Sequence, residues 1–395
     1  KKYIDLNGVD NLAKVFYRTK PILLAFKKYP ELKPLINKVR RAARILHVPM
    51  KGAYLNEITS MIRKGTAIDE TEFSKELEKV NVFRKIRLAY ALKFRTINPS
   101  SILYKIRNGK GYATNFECVN NKVSQQFLDI VLESIVKDIE PNVRGKKVFI
   151  PEGLHYTLPA TEKMFSGYIP TGSFVEVSSD MIAGIYWENF KQCVDLDMSL
   201  VSCGFKVGWD SSYRTPTRDV MFSGDITNAP NGATELFYIS SSIDTPFLVM
   251  VNRYSGPDEN IPMKIIVGKE AVKTLGKNHT INPNNVIVVS NTFIKKKQQA
   301  VGLVMPFSTG CRFYFSETGL GNGSSSRVTE TTEHTRKYMF YQYQNPSTLT
   351  DVLTKAGARF VSSKEDCDID LSPESLEKDT IINLLKASEK KMVAV

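Results

Sequence analysis

Apolar residues recur at helical spacing in two stretches of the N-terminal part of the chain. In each stretch four apolar residues follow one another three or four positions apart, which predicts an amphipathic helix with one buried stripe. Lysine and arginine flank the apolar positions, so both helices are expected to be basic on their exposed sides. The apolar positions are Leu35, Val39, Ala42 and Leu46 in one stretch, and Phe83, Ile86, Tyr90 and Phe94 in the other.

Residues that favour caps and turns mark the ends of further helices. The acidic run from Asp69 to Glu72 predicts a helix start, because negative side chains are favourable at the positive end of the helix dipole. The Asn98–Pro99–Ser100 step predicts the end of one helix and the start of another. Residues 124–139 again alternate apolar and polar residues at helical spacing. Residues 11–140 are therefore expected to form a small antiparallel helical array.

The hydrophobic pattern changes from helical to strand-like past Pro141 to Lys147. Short runs of β-branched and aromatic residues are separated there by Gly, Pro, Asn and Ser, at the spacing typical of a β-sandwich or barrel. Twelve such runs exceed what a minimal sandwich needs, which predicts an added hairpin or strand layer. The runs cover residues 147–150, 173–177, 182–187, 194–201, 205–209, 219–224, 235–239, 247–254, 263–268, 285–293, 300–306 and 312–317.

The C-terminal stretch has a mixed pattern. A helix from Thr348 to Ala356 is predicted to end at Gly357, which suits a left-handed C-terminal cap, and residues 358–361 favour a short strand. A last helix is predicted to open at Ser372–Pro373–Glu374, where a proline in the first turn loses no hydrogen bond.

These elements predict an α+β fold with a helical N-terminal region, a large antiparallel β-sandwich and a short C-terminal α/β tail. The predicted domains are a basic helical domain, a sandwich domain and a tail, and they cover residues 1–140, 145–345 and 346–395.

Charge is distributed unevenly along the 395 residues. The net charge is +13, and it is the sum of +16 over residues 1–150 and −3 over the remainder. The five cysteines are widely spaced and never form a CxxC pair, and none of the four histidines lies at ligand spacing from another. This pattern argues against a disulfide framework and a transition-metal site, and it favours the cytoplasm. No apolar run reaches the roughly 18 residues of a transmembrane segment.

Acidic residues within the strand-like region form the best candidate site. Asp195 and Asp197 lie two residues apart in a predicted strand, so their side chains share one face and repel each other without a compensating group. Together with Asp225 and Glu235 they supply the oxygen ligands that suit calcium. The alternative is that they are ordinary exposed acids at a strand edge, with Asp225 capping a turn. Two further acids between these steps, Asp210 and Asp219, are secondary candidates.

Over roughly residues 145–315 the chain resembles the tellurium-resistance TerD family, most closely its divergent long members. The resemblance rests on the Asp195–Leu196–Asp197 step and on a later motif formed by Ser223, Gly224, Asp225, Ala229, Pro230, Gly232 and Glu235. Typical members have a threonine-glycine and two consecutive aspartates before the glutamate, and this chain lacks those additional carboxylates. The resemblance implies a TerD-like β-sandwich, calcium bound by the carboxylates, and a non-enzymatic bacterial or phage protein. Such a protein would serve stress response or defence, including resistance to tellurite, phage and colicins, by assembling with protein partners.

A second hypothesis assigns nucleic-acid binding to the basic helices, since concentrated positive charge attracts phosphate. An acidic protein partner would fit the same surface, and a third hypothesis is a structural role in a larger, phage-related assembly of undetermined oligomeric state. No GxSxG, HExxH or P-loop motif is present, so the chain is expected not to be an enzyme. The arginines of the basic surface are Arg40, Arg41, Arg44, Arg84, Arg87 and Arg95.

Three aromatic residues are candidates for a binding surface. Trp187 and Trp209 lie in strand-like runs, where aromatic side chains usually belong to the core. Tyr213 lies beside Arg214 in a polar loop and is expected to be exposed and able to contact a partner.

Overall fold

The structure is a computed structural model that describes residues 1–16, 29–46, 53–105, 111–272, 274–318, 330–344, 346–377 and 379–386. It confirms the predicted α+β class, with helices in the N-terminal part and two large antiparallel sheets after them. The chain divides into two compact units, residues 1–57 and 58–395, and the predicted three-domain division stays a prediction. Within the described residues, no helix combines the length and the apolar content that a bilayer crossing requires.

The first unit contains a short 3₁₀ turn (Pro30–Leu32) between the helices α1 (Lys2–Phe16) and α2 (Lys33–Ile45). The two helices share a small apolar core in which Ala13 of α1 meets Val39 and Ala43 of α2. The predicted stripe of α2 is therefore displaced by one position, because Ala43 rather than Ala42 is buried with Val39. Leu46, at the end of that stripe, is 38% exposed.

Helices and one hairpin precede the large sheets: α3 (Tyr54–Lys64), α4 (Glu70–Glu78), α5 (Val82–Thr96), the strands β1 (Ser101–Lys105) and β2 (Gly111–Asn115), and α6 (Asn121–Val143). Helix α5 buries Phe83 and Ile86 as predicted, whereas Tyr90 and Phe94 of the same predicted stripe are only half-buried. The reason is that α5 packs against α6 with the face next to the predicted stripe. The buried Lys85 lies on that face, and its ammonium group is 2.6 Å from the carboxylate of Asp138 in α6.

The prediction of a second helix after Asn98–Pro99–Ser100 is wrong. The chain forms β1 there, paired antiparallel with β2 from Ser101 opposite Asn115 to Lys105 opposite Gly111. Ser101 is buried and its hydroxyl lies 2.9 Å from Nδ1 of His334, far along the chain. The hairpin is therefore stabilised by a distant segment that local sequence does not reveal.

The predicted acidic helix start is confirmed, and it yields a stability prediction. Asp69 is the N-cap of α4, and its carboxylate accepts a hydrogen bond from the Glu72 N–H at 2.7 Å. We expect Asp69→Ala to lower the free energy of unfolding by about 1 kcal/mol, because a helix N–H loses its acceptor. Asp69→Asn keeps an oxygen acceptor for this N–H, so it should lower the free energy of unfolding much less than Asp69→Ala does. Urea unfolding followed by circular dichroism measures both, and equal losses would contradict the capping role.

The two large sheets contain all twelve predicted strand runs except the first, which joins the sheet of the tail. Their strands are β4 (Leu154–His155), β7 (Phe174–Val177), β8 (Met181–Trp187), β9 (Asp195–Val201), β10 (Lys206–Gly208), β11 (Val220–Phe222), β12 (Ala233–Ile239), β13 (Phe247–Ser255), β14 (Ile261–Lys269), β15 (Val286–Ile294), β16 (Gln298–Phe307) and β17 (Gly310–Thr318). The seven-stranded sheet has the order β10-β9-β13-β16-β17-β7-β4, and the five-stranded sheet has the order β11-β12-β8-β14-β15, with antiparallel neighbours throughout.

The sheets contact each other as the predicted β-sandwich, through β12 against β9 and β14 against β7, and helix α7 (Glu330–Tyr343) covers part of the seven-stranded sheet. Met339, Phe340 and Tyr343 of α7 share an apolar cluster with Leu248 and Met250 of β13. In an antiparallel sheet, alternate residues of β13 point to this helix while the others point to the five-stranded sheet. Both faces of this part of the seven-stranded sheet are therefore covered.

The tail packs against the start of the β region. Its strands β18 (Arg359–Val361) and β19 (Ile369–Asp370) flank β3 (Lys147–Phe149) in parallel, and a small hairpin consists of β5 (Phe165–Ser166) and β6 (Ile169–Pro170). The helix α8 (Leu349–Lys355) lies where the pattern predicts it, and Gly357 has the left-handed φ of 87°. The last helix begins later than predicted, because Ser372–Pro373–Glu374 begins a turn and α9 covers Thr380–Leu385.

Candidate functional site

Strand β9 places Asp195 and Asp197 on one face, as their spacing predicts. Alternate residues of a strand point to the same side, and an oxygen of each carboxylate lies within 4.8 Å of the other. Both side chains are buried, Asp195 being 5% and Asp197 2% exposed. The interpretation of these two residues as ordinary exposed acids is therefore wrong.

Asp225 approaches the same point from the other sheet. It follows β11 in a segment held along β12, because the Ser223 hydroxyl accepts a hydrogen bond from the Leu236 N–H at 3.0 Å. One carboxylate oxygen from each of Asp195, Asp197 and Asp225 lies within 4.8 Å of the other two, and we call these three residues the acidic cluster. In the described structure each has one buried oxygen without a hydrogen-bond partner.

Glu235, predicted as a fourth ligand, lies outside these three converging carboxylates. Its fully buried carboxylate accepts hydrogen bonds from the Met198 N–H at 2.8 Å and from the Ile226 N–H at 3.0 Å. Met198 directly follows Asp197, and Ile226 directly follows Asp225. One carboxylate therefore ties together the two chain segments that carry the cluster, which makes Glu235 a positioning residue.

Burial and mutual repulsion raise the pKa of these carboxyl groups. Burial, followed by repulsion from Asp225, raises the pKa of Asp195 to about 6. Burial, followed by repulsion from the other two carboxylates of the cluster, raises the pKa of Asp197 to about 7. Burial also raises the pKa of Glu235 to about 9, although its two backbone N–H donors oppose this shift. At neutral pH the negative charge of the site is therefore unfavourable without a counter-ion.

Asn252 is a polar neighbour of the cluster that sequence analysis missed. It lies on β13 directly opposite Asp197, and opposite residues of antiparallel strands share a face of the sheet. The side chain is 6% exposed, and neither amide atom has a hydrogen-bond partner among the described residues. The signal in the sequence is an asparagine that directly follows the five apolar residues at the start of β13, and it becomes informative only once the strand register is known.

Lys206 supplies positive charge close to the cluster. Its ammonium group is paired with the carboxylate of Asp210, and its charge opposes the upward shift of the Asp197 pKa. Asp210, a secondary candidate ligand, thus has a lysine partner, and the other secondary candidate, Asp219, lies outside the three converging carboxylates.

The three aromatic candidates near the cluster differ in burial. Trp187 is 1% exposed, as predicted for a core residue, and its indole N–H donates over 3.1 Å to the carbonyl of Val194, which directly precedes β9. Trp209, for which a core position was also predicted, is only half-buried, and its backbone N–H donates to the Met198 carbonyl at 3.2 Å. Tyr213 is 42% exposed, which confirms the predicted exposure.

The six arginines of the predicted nucleic-acid surface belong to two units, with Arg40, Arg41 and Arg44 in the first and Arg84, Arg87 and Arg95 in the second. The first two arginines of α2 are exposed, and the side chain of Arg44 lies outside the described residues. In α5 the guanidinium of Arg95 lies 5.7 Å from the ring centroid of Phe116, and Arg87 is exposed. The nucleic-acid surface remains a prediction.

The acidic cluster has the donor atoms of a site for a hard cation. Ligands on opposite sides of a calcium ion are about 4.6–5.2 Å apart, so oxygens that lie within 4.8 Å of one another can share one ion. Among the described residues the cluster contains neither sulfur nor imidazole, the donors typical of zinc sites. Comparison with models of protein families, with curated proteins and with solved structures finds no match to this chain.

Proposed function

We propose that this chain is a non-enzymatic calcium-binding protein that acts through protein partners. The observation that carries the proposal is the convergence of Asp195, Asp197 and Asp225, two of them buried and each, within the described structure, with an unpartnered oxygen. Carboxylates that share a buried space repel one another and are costly to ionise without a compensating charge. A divalent cation would neutralise most of this charge and give the buried oxygens the partners that they lack.

Calcium fits the donor set better than magnesium does. Magnesium demands near-ideal octahedral geometry at about 2.0–2.1 Å, whereas calcium accepts roughly six to eight oxygens at irregular angles. The carboxylates come from a strand and from a loop of different sheets, which is an irregular arrangement. Asn252 would add a neutral oxygen beside Asp197, and water would fill the remaining positions.

The bound ion would act by ordering the two loops that flank the cluster. Residues 209–219 begin where the Trp209 N–H bonds to the Met198 carbonyl, and residues 225–232 begin with Asp225 itself. The first of these loops exposes Tyr213 and Arg214, which suits contact with a partner protein. The TerD resemblance supports this view of an assembling factor in bacterial or phage-related stress response and defence.

The proposal predicts a calcium affinity that depends on the cluster. Calorimetric titration of the metal-free protein should show one calcium site, and Asp225→Asn should weaken it at least tenfold, because a charged ligand becomes a neutral one. Asp225 is half-buried, so this substitution should leave the fold intact.

Asp219→Asn is the matched control, since it removes the same charge from the neighbouring loop but outside the cluster. Its calcium affinity should equal that of the wild type. A wild type that binds no calcium, or an Asp225→Asn variant that binds it as tightly, would overturn the proposal.

A further inference from the structure

A cavity lies between α5, β1 and α7, all within the second unit. Its volume is about 280 Å³, close to the lower limit of about 300 Å³ for small-molecule sites. Arg87, Tyr90, Ala91, Phe94 and Arg95 line it from α5, at positions separated by three or four residues. This spacing places them on one face of the helix, which is why the predicted stripe residues Tyr90 and Phe94 are only half-buried.

The cavity is positively charged. Arg87, Lys93 and Arg95 line it, and the described part of its lining contains no aspartate or glutamate. Among the described residues no carboxylate lies within ion-pair distance of Arg87 or Lys93, and the Lys93 ammonium donates only to the Ser347 hydroxyl, at 3.2 Å. Burial lowers the pKa of Lys93, against the attraction of the more distant Asp351. A partly buried ammonium without a counter-ion favours an anionic ligand.

The cavity is also lined by aromatic rings. Tyr90, Phe94, Tyr338 and Tyr341 contribute to its wall, and the centroids of Phe94 and Tyr338 are 5.2 Å apart. The hydroxyl of Tyr90 donates to the Leu158 carbonyl at 2.6 Å, and that of Tyr341 lies 3.1 Å from the Ser100 hydroxyl. Because both hydroxyls are already engaged, these tyrosines offer a ligand chiefly their rings.

A smaller cavity adjoins the first. Its volume is about 120 Å³, and it shares Arg87, Tyr90, Gln342 and Pro346 with the larger cavity. The two spaces together have room for one planar ring with a charged substituent.

We propose that this cavity binds one nucleotide, with its phosphate on Arg87 and Lys93 and its base against the aromatic rings. Guanidinium and ammonium groups form strong charge-assisted hydrogen bonds with phosphate, and every base offers a face that stacks on aromatic side chains. The nucleotide could come from the free pool or from one unit of a single strand, since the chemistry is the same. The proposal goes beyond the calcium-dependent function and does not depend on it.

The test uses the full chain in the presence of EGTA, so that its outcome is independent of the acidic cluster. AMP, UMP, GMP and inorganic phosphate are titrated by calorimetry, and a fluorescein-labelled single-stranded 10-mer RNA is followed by anisotropy. We expect a nucleoside monophosphate to bind at least tenfold more tightly than inorganic phosphate. If the 10-mer binds more tightly than the mononucleotides and its affinity falls with salt, the ligand is one unit of single-stranded nucleic acid. If only mononucleotides bind, the ligand comes from the free nucleotide pool.

Arg87→Gln and Lys93→Gln should each weaken nucleotide binding at least tenfold, and Phe94→Leu should weaken it about tenfold through lost stacking. Arg87 is exposed, so Arg87→Gln tests the site without risk to folding, and equal thermal midpoints would confirm this.

Lys122→Gln, an exposed lysine of α6 outside the cavity, is the matched charge control and should bind as the wild type does. Failure of every nucleotide and of the 10-mer to bind at millimolar concentration overturns the proposal. So does binding that is unchanged in Arg87→Gln and Lys93→Gln, or equal affinity for inorganic phosphate.

Discussion

Asp197→Asn is expected to stabilise the calcium-free protein at pH 8 by about 2–4 kcal/mol, although it alters a buried residue. The pKa of Asp197 is about 7 in the folded protein and about 4 in the unfolded chain. The folded state therefore holds the proton more tightly, and its stability falls as the pH rises from about 4 to 7. Below about pH 4 the carboxyl is protonated in both states, so the advantage of the variant should disappear there.

Calcium should reverse the order of the two proteins. An ion that binds only the folded state stabilises it by about 4.1 kcal/mol at a free concentration one thousand times its Kd, which exceeds the advantage expected for the variant. Asp197→Asn lacks a charged ligand for the ion and should gain less. Urea unfolding at pH 4 and pH 8, without and with calcium, measures all four conditions. An Asp197→Asn variant that is less stable than the wild type at pH 8 in EGTA would contradict this account. It would mean that Lys206, rather than an added cation, compensates the Asp197 carboxylate.

The sequence predicted the residues of the cluster better than their environment. The shared face of Asp195 and Asp197 follows from the two-residue period of a strand, which needs no tertiary information. Their burial could not be predicted, because alternation of polar and apolar residues usually places the polar face in water. The role of Glu235 depends on backbone N–H groups of β9 and of the loop after β11, which only the folded chain brings together.

The fold was predictable where local pattern decides it. Period-two runs identified the strands, and the acidic run at Asp69 identified the start of α4, because both signals act within a few residues. The hairpin β1–β2 was missed, since the contact of Ser101 with His334 joins distant parts of the chain. The buried Lys85 was missed for the same reason, because a charged residue enters a core only when a partner meets it there.

Because Asp138 is that partner, the stability of the second unit is expected to depend strongly on the Lys85–Asp138 ion pair. Lys85 is 3% exposed, and its ammonium lies 2.6 Å from the Asp138 carboxylate, which is 22% exposed. We expect Asp138→Ala to lower the free energy of unfolding by about 3–5 kcal/mol, because it leaves a buried ammonium without a counter-ion. Lys85→Met should cost less, since the remaining carboxylate of Asp138 can reach water. Urea unfolding of the two variants measures this asymmetry.

The exposed pair of Lys79 and Glu76 is the matched control, with the same 2.6 Å separation but 65% and 32% exposure. Glu76→Ala should cost far less than Asp138→Ala, because water solvates the lysine that is left. Equal losses for Asp138→Ala and Glu76→Ala would show that burial does not decide the cost.

Helix α5 carries both Lys85 and the aromatic face of the cavity. Asp138→Ala should therefore also weaken nucleotide binding under conditions where the protein is partly unfolded. The double variant Lys85→Met with Asp138→Leu should recover both stability and nucleotide binding, because two apolar side chains fill the same space without an unpaired buried charge.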